Sequence, residues 1–229
     1  MEKQEKLQKL FAFAEELELT PDDIIKGLDS YNPIGDSCLS KIVDRETAQP
    51  CQKKKVGMFY YAEDESFSEE LIPNKTVSGV VFHVDETGEH GLVVLLHQVQ
   101  LPWSSDELYV FKTNKLNGKK NTRYILKTAK RLGQKAEAAE YCANYAYDGV
   151  NAGEAFLPSI DELEYLYKNK RLVNEKLALI DGADLLDGWF YWSSSEYSIY
   201  GAWLLYFGNG SVSNYDKDDY YYVRPVLAF

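Results

Sequence analysis

Between Trp189 and Leu227 the chain alternates side-chain character residue by residue and is cut by short turn clusters, which constrains its fold more than any other feature. Ala202–Phe207 has period two, with Trp203, Leu205 and Phe207 directed one way and Leu204 and Tyr206 the other. Gly208-Asn209-Gly210 predicts a tight turn with two residues free to take positive φ. Ser211–Tyr215 returns as a strand, with Val212 on the inner face and Ser211 and Ser213 outside. Asp216-Lys-Asp-Asp219 is a solvated loop. Tyr220–Val223 and Val226–Leu227 then close the sheet, and Arg224-Pro225 marks an edge or bend. Upstream, Trp189-Phe-Tyr-Trp192 predicts an aromatic strand and Ser193–Ser195 a hydroxyl-rich loop. A chain ending this way must build an antiparallel sheet and cover one face of it.

The cover comes from the middle of the chain. Thr122 onward, with Ile125, Leu126, Ala129 and Leu132 turned inward, predicts a helix that Gly133 ends. Gln134–Tyr145 predicts another, its alanines allowing close packing. Ser159 caps a third, with Glu162 reaching back and Leu163, Leu166 and Tyr167 as its apolar face. A short fourth runs from about Asn174 to Ile180. Val56–Tyr61 and Val77–Val84 are strand-like, and Gly91–Leu96 pairs with the latter across Asp85-Glu-Thr-Gly88. The expected class is α+β over residues 56–229. Residues 1–55 form a separate helical element, with an amphipathic helix over 3–18 and a second from Pro21 to about Leu28, capped by Thr20. So small a helix pair buries too little to stand alone, so docking on the main body or self-association is expected of it.

Charge and cysteine usage exclude several functions. The net charge of −11 disfavours a nucleic-acid partner, although Lys112–Lys135 holds nine basic residues and no acidic one. A solvated helix face accounts for that run, with a contact between subunits as the next choice. No apolar run approaches the roughly 20 residues of a membrane span. No secretory signal follows Met1, so the expected location is cytoplasmic at synthesis, with surface or phage display also compatible. Three scattered cysteines give no disulfide framework. His83, His90 and His97 would lie at different heights of a strand–turn–strand unit, and an isolated surface or sheet-edge role suits them better than a metal site.

Of 18 tyrosines, eight fall between Tyr191 and Tyr222. Tyr191 and Tyr197 suit ordinary half-buried sheet positions. The rest interleave with Ser, Gly, Asn and Asp, the composition of an antibody combining site, where rigid amphipathic rings give area at low entropy cost and small polar residues adapt.

Phe156-Leu-Pro-Ser-x-Asp-Glu-Leu-x-x-Leu-Tyr167, Tyr191-Trp-Ser-Ser-Ser-Glu-Tyr197, Ala202-Trp203, Phe207, Gly210 and Val223-Arg-Pro-Val226 together resemble a C-type lectin-type fold. More narrowly, they resemble the variable proteins of diversity-generating retroelements, a group related in fold to formylglycine-generating enzymes. The resemblance implies that asparagine codons of an AAC or AAT template change at their first two bases. Such codons never yield Glu, Gln, Lys, Met or Trp. From Ile199 to Tyr221 the exceptions are Trp203 and Lys217, which the resemblance assigns to a fixed framework. The candidate variable, ligand-binding positions are Ile199, Tyr200, Gly201, Leu204, Tyr206, Gly208, Ser211, Ser213, Asn214, Tyr215, Asp216, Asp218, Asp219, Tyr220 and Tyr221.

Enzymatic readings find less support. The related oxidases hold copper with a C-terminal cysteine pair, and no cysteine follows Cys142. No Glu-Pro-Asn motif for calcium-dependent sugar binding occurs, and Asn214, Asp216, Asp218 and Asp219 lack the usual calcium-loop spacing. Ser193–Ser195 lack a nucleophile elbow and a histidine partner, so their hydroxyls are expected to satisfy backbone groups. The expectation is a non-enzymatic binding protein without cofactor, directed at a protein or cell-surface macromolecule, with homo-oligomerisation through residues 1–55 or 112–135 open. The alternative is an undiversified carbohydrate- or cell-wall-binding lectin-like module.

Overall fold

Three hydrophobic cores and a pair of five-stranded sheets follow from the strand and helix patterns. A computed structural model describes residues 53–229 apart from Lys112, so the helices expected over 3–18 and 21–28 lie outside the described residues. The strands are β1 (Phe59–Tyr61), β2 (Ser66–Ser68), β3 (Gly79–Val84), β4 (Gly91–Leu95), β5 (Val99–Pro102), β6 (Phe190–Glu196), β7 (Gly201–Tyr206), β8 (Ser211–Asp216), β9 (Tyr220–Val223) and β10 (Val226–Ala228). The helices are α1 (Gly118–Leu132), α2 (Glu137–Ala143), α3 (Ile160–Lys168) and α4 (Lys170–Leu177). One sheet has the order β10-β4-β3-β1-β2 and the other β5-β9-β6-β7-β8. Every pairing is antiparallel except β6 with β9, where Tyr191 faces Tyr222.

Alternation sorts the side chains as period two requires. On β3 and β4, Val80, Phe82, Leu92 and Val94 enter a central core with Leu163, Leu166 and Val173, and Val81, Val93 and Leu95 enter another on the opposite face. The sheet is therefore covered on both sides. On β7, Leu205 joins the central core with Tyr191 and Phe207. Leu204 and Ala202 face the other way, into a core closed by Ile125 and Ala129 of α1 and by Ala138, Ala139 and Cys142 of α2.

Several boundaries move for identifiable reasons. α1 starts four residues before Thr122, because Asn117 Oδ1 accepts the Lys120 N–H at 2.8 Å. Gly133 ends it at φ 68°, as its sequence position predicts. Leu132, expected inward, is half exposed, since the core that takes Ile125 and Ala129 ends a turn earlier. α2 is confined to Glu137–Ala143, and α4 begins at Lys170, directly after α3. Ser193–Ser195 belong to β6, not to a loop. The β6–β7 register shifts between Trp192 and Glu196, and serine hydroxyls serve the backbone groups the shift leaves unpaired. Val226–Ala228 leaves the second sheet and pairs with β4. Arg224-Pro225 is the crossing point, with Arg224 fully buried and its guanidinium donating to Gln98 Oε1 at 3.2 Å and the Asp184 carbonyl at 3.0 Å.

Candidate functional site

Among the described residues, one end of the second sheet is left open. Trp192 and Leu204 lie beneath α1 and α2, but Phe190, Tyr206, Ser211, Ser213, Tyr215 and Tyr221, on the same face by register, run past them. Phe190 sits at the centre of an aromatic cluster there. Its ring centroid lies 4.7 Å from Tyr206, 5.6 Å from Tyr215 and 5.5 Å from Tyr221. Tyr215 and Tyr221 meet edge-on at 5.4 Å, and Tyr221 meets Trp192 at 5.1 Å. Tilted and edge-on arrangements of this kind are the ones that aromatic pairs favour. Partial desolvation, then the Asp219 carboxylate, pushes the Tyr221 phenol above its usual range.

A buried clasp fixes the loops around this face. Lys217 Nζ contacts Glu196 Oε1 at 2.5 Å, the Leu108 carbonyl at 2.7 Å and the Ile199 carbonyl at 3.1 Å, and lies 4.7 Å from the Trp103 ring centroid. Glu196 in turn accepts the Val110 and Phe111 amides at 3.0 and 2.9 Å. Both side chains are 4% exposed. Burial lowers the lysine's pKa, and the facing carboxylate opposes that shift. The residue expected at the centre of a solvated loop is thus its internal anchor. A cleft of about 420 Å³ opens beside it between Ser104–Glu107, Ile199, Tyr200 and Asp216–Asp218.

Of the residues singled out in the sequence, Ile199, Tyr200, Gly208, Ser211, Asn214, Tyr215, Asp216, Asp218, Asp219 and Tyr220 are exposed, and Tyr206, Ser213 and Tyr221 are half-buried. Gly201 and Leu204 are buried; for Leu204 this corrects its outward placement, because alternation gave it the same face as Tyr206, but that end of the face lies under α1 and α2. Val212, expected inside, is exposed because β8 is the last strand of its sheet and none of the described residues covers it. Of the two glycines expected to allow positive φ in the turn, Gly210 alone uses it, at 79°. A Cβ there would also strike the Tyr167 ring at 2.4 Å. Tyr197, placed among ordinary sheet residues, is exposed and rests edge-on against Trp203 at 4.8 Å. Trp203 itself is half-buried beneath Lys115, whose Nζ lies 4.7 Å from its ring. Phe190 was missed as a site residue, although period two from Trp192 puts it on the same face.

The other candidate centres have structural explanations. Ser193 Oγ donates to the Trp203 carbonyl and Ser195 Oγ to the Asn114 carbonyl, and Ser194 Oγ accepts from Asn121 Nδ2. His83 stacks on Tyr165 at 4.2 Å, and His97 Nε2 lies 3.3 Å from Asp148 Oδ2. Among the described residues no three His, Cys, Asp or Glu side chains group as a metal site would need, and no helix is long and apolar enough to cross a membrane.

Residues 93–227, more than half of the chain and the part that carries this face, match the family model described as the Lcl C-terminal domain. The chain belongs to this family of retroelement variable proteins. A fimbrial protein from Bacteroides ovatus shares the fold, with a TM-score of 0.59 at 19% identity. The match covers 76% of this chain and 49% of that one, so this chain spans about half the length of the fimbrial protein. No curated protein matches. In an Lcl C-terminal domain, then, the aromatic face lies at the open end of the second sheet, with the buried Lys217–Glu196 clasp behind its loops.

Proposed function

We propose that this member of the Lcl C-terminal domain family is a non-enzymatic binding protein on a C-type lectin-type scaffold, and that its open face is the segment diversified by a retroelement. One observation carries the reading. Within 199–221, all the candidate positions except Gly201 and Leu204 reach solvent, whereas Lys217, a residue that asparagine-codon copying cannot produce, is the buried anchor. Variation would then alter the ligand surface and leave the scaffold in place. Rigid presentation supports this use, because ordering each loose side chain on binding costs about 0.5–1.5 kcal/mol.

The DNA beside the gene tests the reading. A near-copy of codons 199–221 with AAC or AAT at these positions, next to a reverse transcriptase gene, is the expected finding, and its absence would overturn diversification. Separately, combined alanine substitution at Tyr206, Tyr215 and Tyr220 is expected to leave the circular dichroism spectrum intact and abolish ligand capture. Unfolding of that variant would instead make these rings part of the core.

A further inference from the structure

Resting on the reading of the open sheet face as a ligand surface, we propose that its partner is a protein surface rich in lysine and arginine. The face alone, an aromatic pad around Phe190, fits many partners. The charge around it selects among them. Asp216 ends β8, Asp218 and Asp219 follow in the β8–β9 turn, and Asp106 and Glu107 line the same cleft as Tyr200, Asp216 and Asp218.

No described lysine, arginine or histidine lies within salt-bridge distance of any of these five carboxylates. The cation in their midst, Lys217, is turned inward and neutralised by Glu196. Folding therefore removes the turn's positive charge from the surface and leaves its negative charges there. Their mutual effect is visible locally. Desolvation, then Asp218 and Asp216, raises the Asp219 pKa, and Asp219 and Asp216 also hold the Tyr221 phenol protonated to higher pH. Asp219 stands two residues before Tyr221 and Asp216 directly follows Tyr215, and those two rings meet at 5.4 Å, so the acidic turn borders the aromatic pad.

An aromatic pad with carboxylates at its edge suits guanidinium and ammonium groups. Their flat or alkyl parts stack on tyrosine while the charge meets an acid. The sign also decides the class of partner. Nucleic acid, anionic membranes and acidic polysaccharides would all be repelled by this rim, whereas clustered positive charge on a macromolecule is characteristic of proteins. Opposite charges across the interface would speed encounter and make binding salt-dependent. Of the basic residues of α1, Lys119, Lys120, Arg123 and Lys127 line a separate recess.

A random peptide library displayed on phage, selected on the full chain at about 50 mM salt, tests the proposal. Recovered peptides are expected to be enriched in Lys and Arg. Their binding should weaken at least tenfold in Asp216→Asn/Asp218→Asn/Asp219→Asn and at least tenfold in Tyr206→Ala/Tyr215→Ala. It should change less than twofold in Glu63→Gln/Glu86→Gln/Glu89→Gln, which removes as much charge elsewhere. Neutral or acidic peptides lost on tyrosine substitution would overturn the basic partner and leave the binding face standing. Basic peptides indifferent to the tyrosines, or equally weakened by the distant control, would overturn the proposal as mere attraction to an acidic protein. If no recovered peptide depends on the tyrosines, the face itself falls with it. Salt-dependent self-association of the chain, lost in the aspartate variant, would make a second copy the occupant and also overturn it.

Discussion

Lys217 shows how little a residue's neighbours in sequence reveal about its surroundings. Asp216, Asp218 and Asp219 are exposed, yet the lysine between them is 3% exposed and holds three segments together. Removing one partner of a buried pair leaves the other charge uncompensated, which costs about 3–5 kcal/mol. Lys217→Met is therefore expected to lower the urea-derived stability by about that much. Lys217→Met/Glu196→Gln should recover more than half, since the stranded charge is gone. Equal losses in single and double variants would mean that packing, not charge, holds the loops. Codon chemistry marked Lys217 as framework, but its burial against Glu196 needs the β6 bulge and the β8–β9 turn side by side. Leu204 failed in the opposite sense, because alternation gives a direction without saying what covers it.

At the scale of elements, local signals were most legible where the physics is local. The Ser159 and Glu162 capping box forms as the sequence predicts, Ser159 Oγ accepting the Glu162 amide at 3.3 Å and Glu162 Oε2 the Ser159 amide at 2.8 Å. The same carboxylate also accepts the Gly118 amide at 3.1 Å, so it caps α1 as well as α3. That second duty joins residues 44 apart and has no sequence signature. Ser159→Ala is expected to cost about 1 kcal/mol, an ordinary cap loss. Glu162→Ala should cost about 2–3 kcal/mol, because it strands buried amides on two helices. Thermal denaturation of the pair checks the order, and equal losses would show that the link to α1 contributes nothing. Strand ends were less legible. β8 has the period of a half-buried strand, but as an edge strand with an uncovered inner face it exposes Val212.

The whole molecule sets the behaviour of its tyrosines. Tyr191 lies between the sheets, stacked on Tyr222 at 5.4 Å and donating to Gln98 Oε1 at 2.9 Å. Burial pushes its phenol up from 10.0 to about 12. Below pH 10 both folded and unfolded forms keep the proton, and the contribution of this residue is complete. As pH rises from 10 to 12 the unfolded chain ionises first, so stability falls, by of the order of 2 kcal/mol from this residue. Tyr191→Phe should lose less stability than the parent between pH 9 and 11.5 in urea titrations. Identical pH slopes would show that Tyr191 carries no such linkage.

The sequence by itself determined the α+β class, the hairpin, the Ser159 and Gly133 caps and the C-terminal strands, because spacing, capping and turn chemistry act within a few residues. Through its motifs it also pointed to the family. Only the tertiary structure decided that β10 joins the other sheet, that α1 and α2 cover Leu204 but not Tyr206, and that Phe190 centres the open face. Each of those outcomes depends on which surface a distant element leaves in water, and burial of that kind is a property of the packed molecule rather than of any stretch of its chain.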